Sequence, residues 1–105
     1  MTAKYTFFVG LADKDAKMQV VSTIDAERII ERVFVKHHVD GATITGARGI
    51  YVHESGEVVT EETICVQVFE FGESIPVRAI CDDLKAMLNQ ESIAVERRET
   101  ESALY

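Results

Sequence analysis

Three histidines, His37, His38 and His53, and two cysteines, Cys65 and Cys81, are the first residues to weigh for chemistry. His37 and His38 are adjacent, so on a helix their side chains point about 100° apart. That is poor geometry for two ligands of one metal, which need the same helix face. His53 lies in a different segment. All three read as helix-end or surface histidines. The cysteines lack Cys-x-x-Cys spacing and a local basic partner, so they read as inert thiols. Asp13-x-Asp15 lacks the glycine and terminal glutamate of a calcium loop. Glu61 and Glu62 are neighbours in a predicted strand, where successive side chains point to opposite faces, so they do not form an acid–base pair. The chain has no Gly-x-Ser-x-Gly, no Walker loop and no dinucleotide fingerprint. These patterns predict no catalytic residue, no cofactor and no metal ligand.

A second constellation is Arg48, Tyr51 and His53 across a hairpin from Glu61. With the turn at Ser55-Gly56, Tyr51 falls opposite Thr60 or Glu61, and Arg48 opposite Ile64. Arg48 has the core-side parity of its strand and needs a partner if buried. It either pairs with a carboxylate such as Glu61 or is offered to an anionic ligand beside Gly46 and Gly49. A bulge at these glycines would instead turn Arg48 to the surface. A fixed cation, a stacking ring and close-approach glycines make Arg48, Tyr51, His53 and Glu61 the candidate ligand-binding residues.

The elements that must position them follow from periodicity. Residues 4–12 are aromatic and β-branched and predict a strand. Met18 to Val21 extend the loop or form a short edge strand. Ser22 with Asp25 resembles a capping box ahead of Ile29, Ile30, Val33, Phe34 and His37, which predicts a helix over 23–38. Residues 42–53 and 58–70 alternate with period two around Glu54-Ser55-Gly56-Glu57, a hairpin signal. Pro76 opens a second helix carrying Val77, Ile80, Leu84, Met87 and Leu88. Residues 92–98 predict a fourth strand, and the tail from about Glu99 is loose. The order β-α-β-β-α-β is the ferredoxin-like α+β sandwich: a four-stranded antiparallel sheet with two helices on one face. Ile29, Val33, Phe34, Ile64, Val66, Val68, Leu84 and Leu88 are the expected core. Phe8, Thr43, Thr45, Cys65 and Gln67 line the uncovered face.

With 105 residues, 1–105 is one domain, since a domain takes roughly 100–200 residues. The chain carries 11 Lys and Arg against 18 Asp and Glu, a net charge of −7. That argues against nucleic acid and against an anionic membrane as partners. The third strand also lacks an Arg/Lys-Gly-Phe core for RNA stacking. No window reaches the ~18 apolar residues of a membrane span, and the apolar stretch Tyr5–Ala12 reads as a strand rather than a signal peptide. Two unpaired thiols fit a cytoplasmic protein. The uncovered sheet face, with Phe8, Thr43, Thr45, Ala47, Cys65 and Phe69, is apolar enough to predict a homodimer or homotrimer through it.

The chain resembles a family of small bacterial and phage-associated proteins with ferredoxin-like folds. The resemblance rests on Phe8-Val9-Gly10, Val21-Ser22, Asp40-Gly41-Ala42-Thr43-Ile44, Gly56 with Glu61, and Gln90-Glu91-Ser92-Ile93. Tyr51 and Ile64 stand where that family has Trp and Lys. The segment Gly41-Ala42-Thr43-Ile44-Thr45-Gly46-Ala47-Arg48-Gly49 and the following hairpin are also similar to PII-like signalling proteins, more distantly. That likeness implies a trimer binding nucleotides in clefts between subunits. Here the ligand-responsive loop is a short hairpin, and Leu88-Asn89-Gln90-Glu91 occupies the place of the glycine-rich phosphate loop.

These features predict a non-enzymatic oligomeric module, regulatory or sequestering, that binds a small anionic metabolite or nucleotide. An acidic protein-interaction module, such as a phage-type inhibitor, is the reading that the net charge offers instead. A small enzyme on this fold would need a His or Glu in an enclosed cleft.

Overall fold

The computed structural model describes residues 2–52 and 54–105. Six elements follow in order: β1 (Thr2–Gly10), α1 (Thr23–Lys36), β2 (Thr43–Val52), β3 (Val58–Glu70), α2 (Val77–Leu88) and β4 (Ala94–Thr100). The strands form one antiparallel sheet in the order β2-β3-β1-β4. This is the expected ferredoxin-like β-α-β-β-α-β sandwich.

Alternation decides which face of the sheet is covered. Phe7 and Val9 of β1 and Ile64, Val66 and Val68 of β3 share one face and are buried. They pack in one cluster with Ala26, Ile30, Val33 and Phe34 of α1 and Ile80, Leu84 and Leu88 of α2. Phe7 meets Phe34 edge-on, with ring centroids 5.1 Å apart, a favoured aromatic geometry. Ile29, expected in the core, is only partly buried at its margin. Lys4, Thr6, Phe8, Thr43, Thr45, Cys65, Gln67 and Phe69 point to the face without helices, as their parity requires.

The helix boundaries have local causes. Ser22 Oγ accepts a hydrogen bond of 3.2 Å from the Asp25 N–H, and Asp25 sits in the positively polarised first turn. α1 ends at Lys36, two residues earlier than the periodicity predicts, because His38 adopts a left-handed φ of 60° and cannot continue it. Asn89 ends α2 the same way, with φ 49°. Pro76 is the residue before α2 rather than inside its first turn. Met18–Val21 yields a single bridge, Ala12 with Gln19.

Two expectations are corrected in the sheet. β4 runs from 94 to 100 and pairs with β1 from Phe8–Ala94 to Thr2–Thr100, so Glu99 belongs to the strand and the tail begins after it. β2 carries no bulge: its register against β3 is unbroken from Thr43–Gln67 to Val52–Val58. The turn therefore centres on Ser55, and each cross-strand partner shifts. Arg48 lies opposite Glu62, Gly49 opposite Glu61 and Tyr51 opposite Val59.

The β2–β3 hairpin also outruns the helices. Ile50, Val52 and Val58 have the core-side parity, yet 58–71% of each is exposed. The elongation is visible in the overall extents, 46 × 25 × 21 Å.

Candidate functional site

Glu61 is the hub of the candidate site. It lies on β3 between Gly49 of β2 and the end of β1, on the sheet face without helices. Its carboxylate spreads over Gly10, where an added Cβ would sit 2.7 Å from Glu61 Cδ. At Gly49 a Cβ would sit 2.8 Å from Thr63 Oγ1 and 3.5 Å from Glu61 Cγ. Gly10 thus leaves the space in which this side chain lies down, and Gly49 makes room beside it for Thr63. Glu61 Oε2 accepts a hydrogen bond of 2.8 Å from the Ala12 N–H. The Ala12 carbonyl accepts one of 2.9 Å from the buried Gln90 Nε2, which also donates to the Leu88 carbonyl at 3.2 Å. One residue, Ala12, therefore joins the β3 carboxylate to the C-terminal end of α2. Among the described residues, nothing engages Glu61 Oε1.

Two hollows flank this carboxylate. One, of about 290 Å³, is lined by Tyr51, Glu61, Lys14, Lys17 and the Gln90–Ser92 turn, among others. The second, of about 200 Å³, brings Arg48, Thr60, Glu62, Lys17 and Gln19 to the other side of Glu61. Tyr51 and Arg48 thus both neighbour Glu61 but stand on opposite faces of the hairpin, since their positions differ in parity. His53 lies outside the described residues. Arg48 is exposed and forms no ion pair among the described residues, so the structural Arg48–Glu61 pair is not what occupies Glu61.

Periodicity does not point to the loop between β1 and α1 or to the turn after α2 as parts of this site. Asp13 Oδ2 accepts from the N–H groups of Asp15 (3.0 Å) and Ala16 (2.8 Å), which folds the loop back. The Ala16 N–H, then the Asn89 amide, hold the Asp13 carboxyl below its ordinary value. In the sequence Gln90 is only a matching letter in a motif. Its role needs Ala12, a residue 78 positions away.

The other ionisable clusters lie apart. Asp83 of α2 accepts from Lys36 Nζ at 2.9 Å and meets His37 Nε2 at 2.7 Å, tying the helices together. Those bonds, Lys36 first, depress the Asp83 carboxyl. Burial pushes the Cys81 thiol up, away from nucleophilic reactivity. A larger hollow, about 670 Å³, opens at the other end of the β2–β3 pair beside Asp40, Thr43, Phe69, Phe71 and Leu104. Arg48, Tyr51 and Glu61 are not among its lining residues. Among the described residues no set of three or more His, Cys, Asp or Glu is placed to hold a metal ion. No helix among them is long and apolar enough to cross a membrane.

No family model matches the chain, and no curated protein sequence is similar to it. Solved structures do match. A phage SAM lyase in complex with S-methyl-5′-thioadenosine is 24% identical, with 93% of this chain and 81% of that one covered and a TM-score of 0.71. The periplasmic divalent cation tolerance protein CutA from Archaeoglobus fulgidus is 18% identical over 99% of this chain and 88% of its own, with a TM-score of 0.64. The B. subtilis GlnK–ATP complex is 13% identical over 92% and 84%, with a TM-score of 0.56. These likenesses show the fold, and they place the PII-like resemblance at that level.

Proposed function

We propose that this chain is the subunit of a homo-oligomeric regulatory or sequestering module that binds an adenosyl ligand in the hollow shared by Tyr51 and Glu61. The observation that carries the reading is the Glu61 carboxylate, laid over Gly10 and fixed at Oε2, with Oε1 unengaged among the described residues. A fixed acceptor of this kind suits the hydroxyls of a ribose or the exocyclic amine of adenine. The Tyr51 ring, 43% exposed beside it, offers a stacking face. Two proteins of the same fold have been captured with adenosine derivatives, S-methyl-5′-thioadenosine in one and ATP in the other. The ligand class read from the sequence, a small anionic metabolite or nucleotide, is here narrowed to one that also brings hydrogen-bond donors for Glu61.

Self-association belongs to the same proposal. Phe8, Phe69 and Phe71 are 41–46% exposed, and a second copy of the chain over the face without helices would cover them.

The phage enzyme supports a second reading, a lyase acting on S-adenosylmethionine. The observation that favours it is again Glu61: a carboxylate at the adenosyl site would hold the positive sulfonium of that substrate by charge, a binding contribution that the neutral thioether product lacks. Native mass spectrometry of freshly purified protein, followed by thermal-shift titration with ATP, S-adenosylmethionine and S-methyl-5′-thioadenosine, tests both. An oligomer that retains or is stabilised by an adenosyl compound supports the binding module. Release of S-methyl-5′-thioadenosine from S-adenosylmethionine, lost in Glu61→Ala, transfers the conclusion to the lyase. A monomer with no shift for any of the three refutes both.

A further inference from the structure

The loop between β1 and α1 brings Lys14 and Lys17 to the hollow of Tyr51 and Glu61, and Lys17 also lines the hollow beside Arg48. Among the described residues none of these three cations forms an ion pair, whereas Lys36, Lys85, Arg97 and Arg98 each have a carboxylate oxygen at 2.9 to 3.7 Å. In a chain of net charge −7, three of the seven Lys and Arg residues without an ion pair among the described residues, Lys14, Lys17 and Arg48, line the two hollows that flank the acceptor Glu61.

The loop that carries them is latched from α2. Asn89 Nδ2 donates to Asp13 Oδ1 and to Asp15 Oδ2, both at 2.9 Å. The Asn89 carbonyl accepts from the Lys14 N–H at 3.0 Å. Asn89 makes these bonds from a left-handed backbone, φ 49°, which asparagine tolerates better than most residues. The latch occupies Asp13 and Asp15, the loop's own acids, with donors.

We propose that the Asn89-latched loop is the anion-recognition arm of the site, presenting Lys14 and Lys17 to the negatively charged 5′ end of an adenosyl ligand. The proposal rests on the adenosyl reading above and specifies its chemistry. Glu61 and Tyr51 take the nucleoside, and the lysines take a phosphate or a carboxylate attached through the 5′ position. The mixed lining, with Asp13, Glu61 and Glu91 beside the lysines, suits a ligand that carries donors at one end and negative charge at the other. Lys14 and Lys17 act by contact, and Asn89 is a positioning residue.

Calorimetric titration of the intact chain with three ligands tests this. ATP carries phosphates, S-adenosylmethionine carries a carboxylate together with a sulfonium and an ammonium, and S-methyl-5′-thioadenosine carries no charge. At least one of the two ligands with an anionic group should bind roughly tenfold or more tightly than the uncharged one, the size of one charge-assisted hydrogen bond. The one that does so identifies the anion. The double substitution Lys14→Ala with Lys17→Ala touches only exposed side chains and should erase that preference while leaving the neutral ligand's affinity within about twofold. Asn89→Gly keeps the left-handed backbone accessible and removes the amide latch, so it should also erase the preference. A merely structural role for Asn89 would lower the melting temperature and weaken all three ligands alike. Full preference retained in the lysine double variant overturns the proposal, and full preference retained in Asn89→Gly overturns the latch. Failure of all three ligands to bind the unaltered protein overturns the adenosyl reading itself, an outcome distinct from binding without preference.

Discussion

The carboxylate of Glu61 and the backbone N–H of Ala12 are joined by a hydrogen bond of 2.8 Å that ties β3 to the residue where β1 becomes a loop. That bond has room because β1 carries Gly10 where a Cβ would collide with the carboxylate. Gly10→Ala should therefore displace Glu61 rather than the backbone, since the colliding atoms are the end of a flexible side chain. Binding of an adenosyl ligand should fall as far as in Glu61→Ala, while the chain stays folded by circular dichroism. Unchanged affinity in Gly10→Ala would show that the placement of Glu61 is irrelevant to the ligand.

Tyr51→Ala separates recognition from stability. The ring stands on the projecting hairpin, outside the core cluster. The expected result is a loss of affinity of roughly tenfold, in the range of one base–aromatic stack, ~1–3 kcal/mol, with little change in melting temperature. Thermal denaturation beside a binding isotherm reads both.

Stability itself resides in the layer between sheet and helices. Leu84 is fully buried, and Leu84→Ala should cost about 2–5 kcal/mol through lost transfer energy and the cavity left behind. Val66→Asp places an unpaired charge at a position with 0% exposure and should prevent folding. Urea denaturation measures the first, and loss of the cooperative transition the second.

The fold is legible in the sequence because both periodicities are clean. Val66 and Val68 alternate, Leu84 and Leu88 recur at helical spacing, and Ser22 with Asp25 marks the first helix start. Register is what misleads. Gly46 and Gly49 suggest a bulge, but Gly49 is there to admit Thr63 from the neighbouring strand, and a glycine's purpose in a strand depends on a neighbour that periodicity does not name. A small shift in the turn centre moves Arg48 from Ile64 to Glu62 and Tyr51 from Thr60 or Glu61 to Val59. Asn89 and the lysine loop are invisible for another reason: their bonds link positions 74 and 76 residues apart.

Acid should loosen the links that rest on Asp83 and Asp13. Both carboxyls are held below their ordinary value of 3.8, Asp83 first by Lys36 and Asp13 first by the Ala16 N–H. A depressed native pKa means stability that is complete above the unfolded value and lost as pH falls through the native one. The contribution is therefore complete at neutral pH and declines as pH falls below about 4 toward the depressed native value. Asp83→Asn should lower stability at pH 7 but not at pH 2, as followed by denaturation at the two values. An equal loss at both would show that the contact is not electrostatic.

Association should depend on the face without helices. Phe8 and Phe69 are exposed there, so Phe8→Glu with Phe69→Glu should shift sedimentation toward a monomer. An unaltered protein already monomeric at tens of micromolar (on the order of usual assay concentrations) would contradict the homo-oligomer.

The most direct measurement is a map of backbone amide shifts by nuclear magnetic resonance as S-methyl-5′-thioadenosine or ATP is added to the ¹⁵N-labelled chain. The account predicts saturable shifts centred on Ala12, Gly49, Tyr51, Glu61 and Gln90, absent in Glu61→Ala. Shifts gathered instead around Asp40, Phe69 and Phe71, or no shifts at millimolar ligand (on the order of the weakest specific affinities), would contradict it.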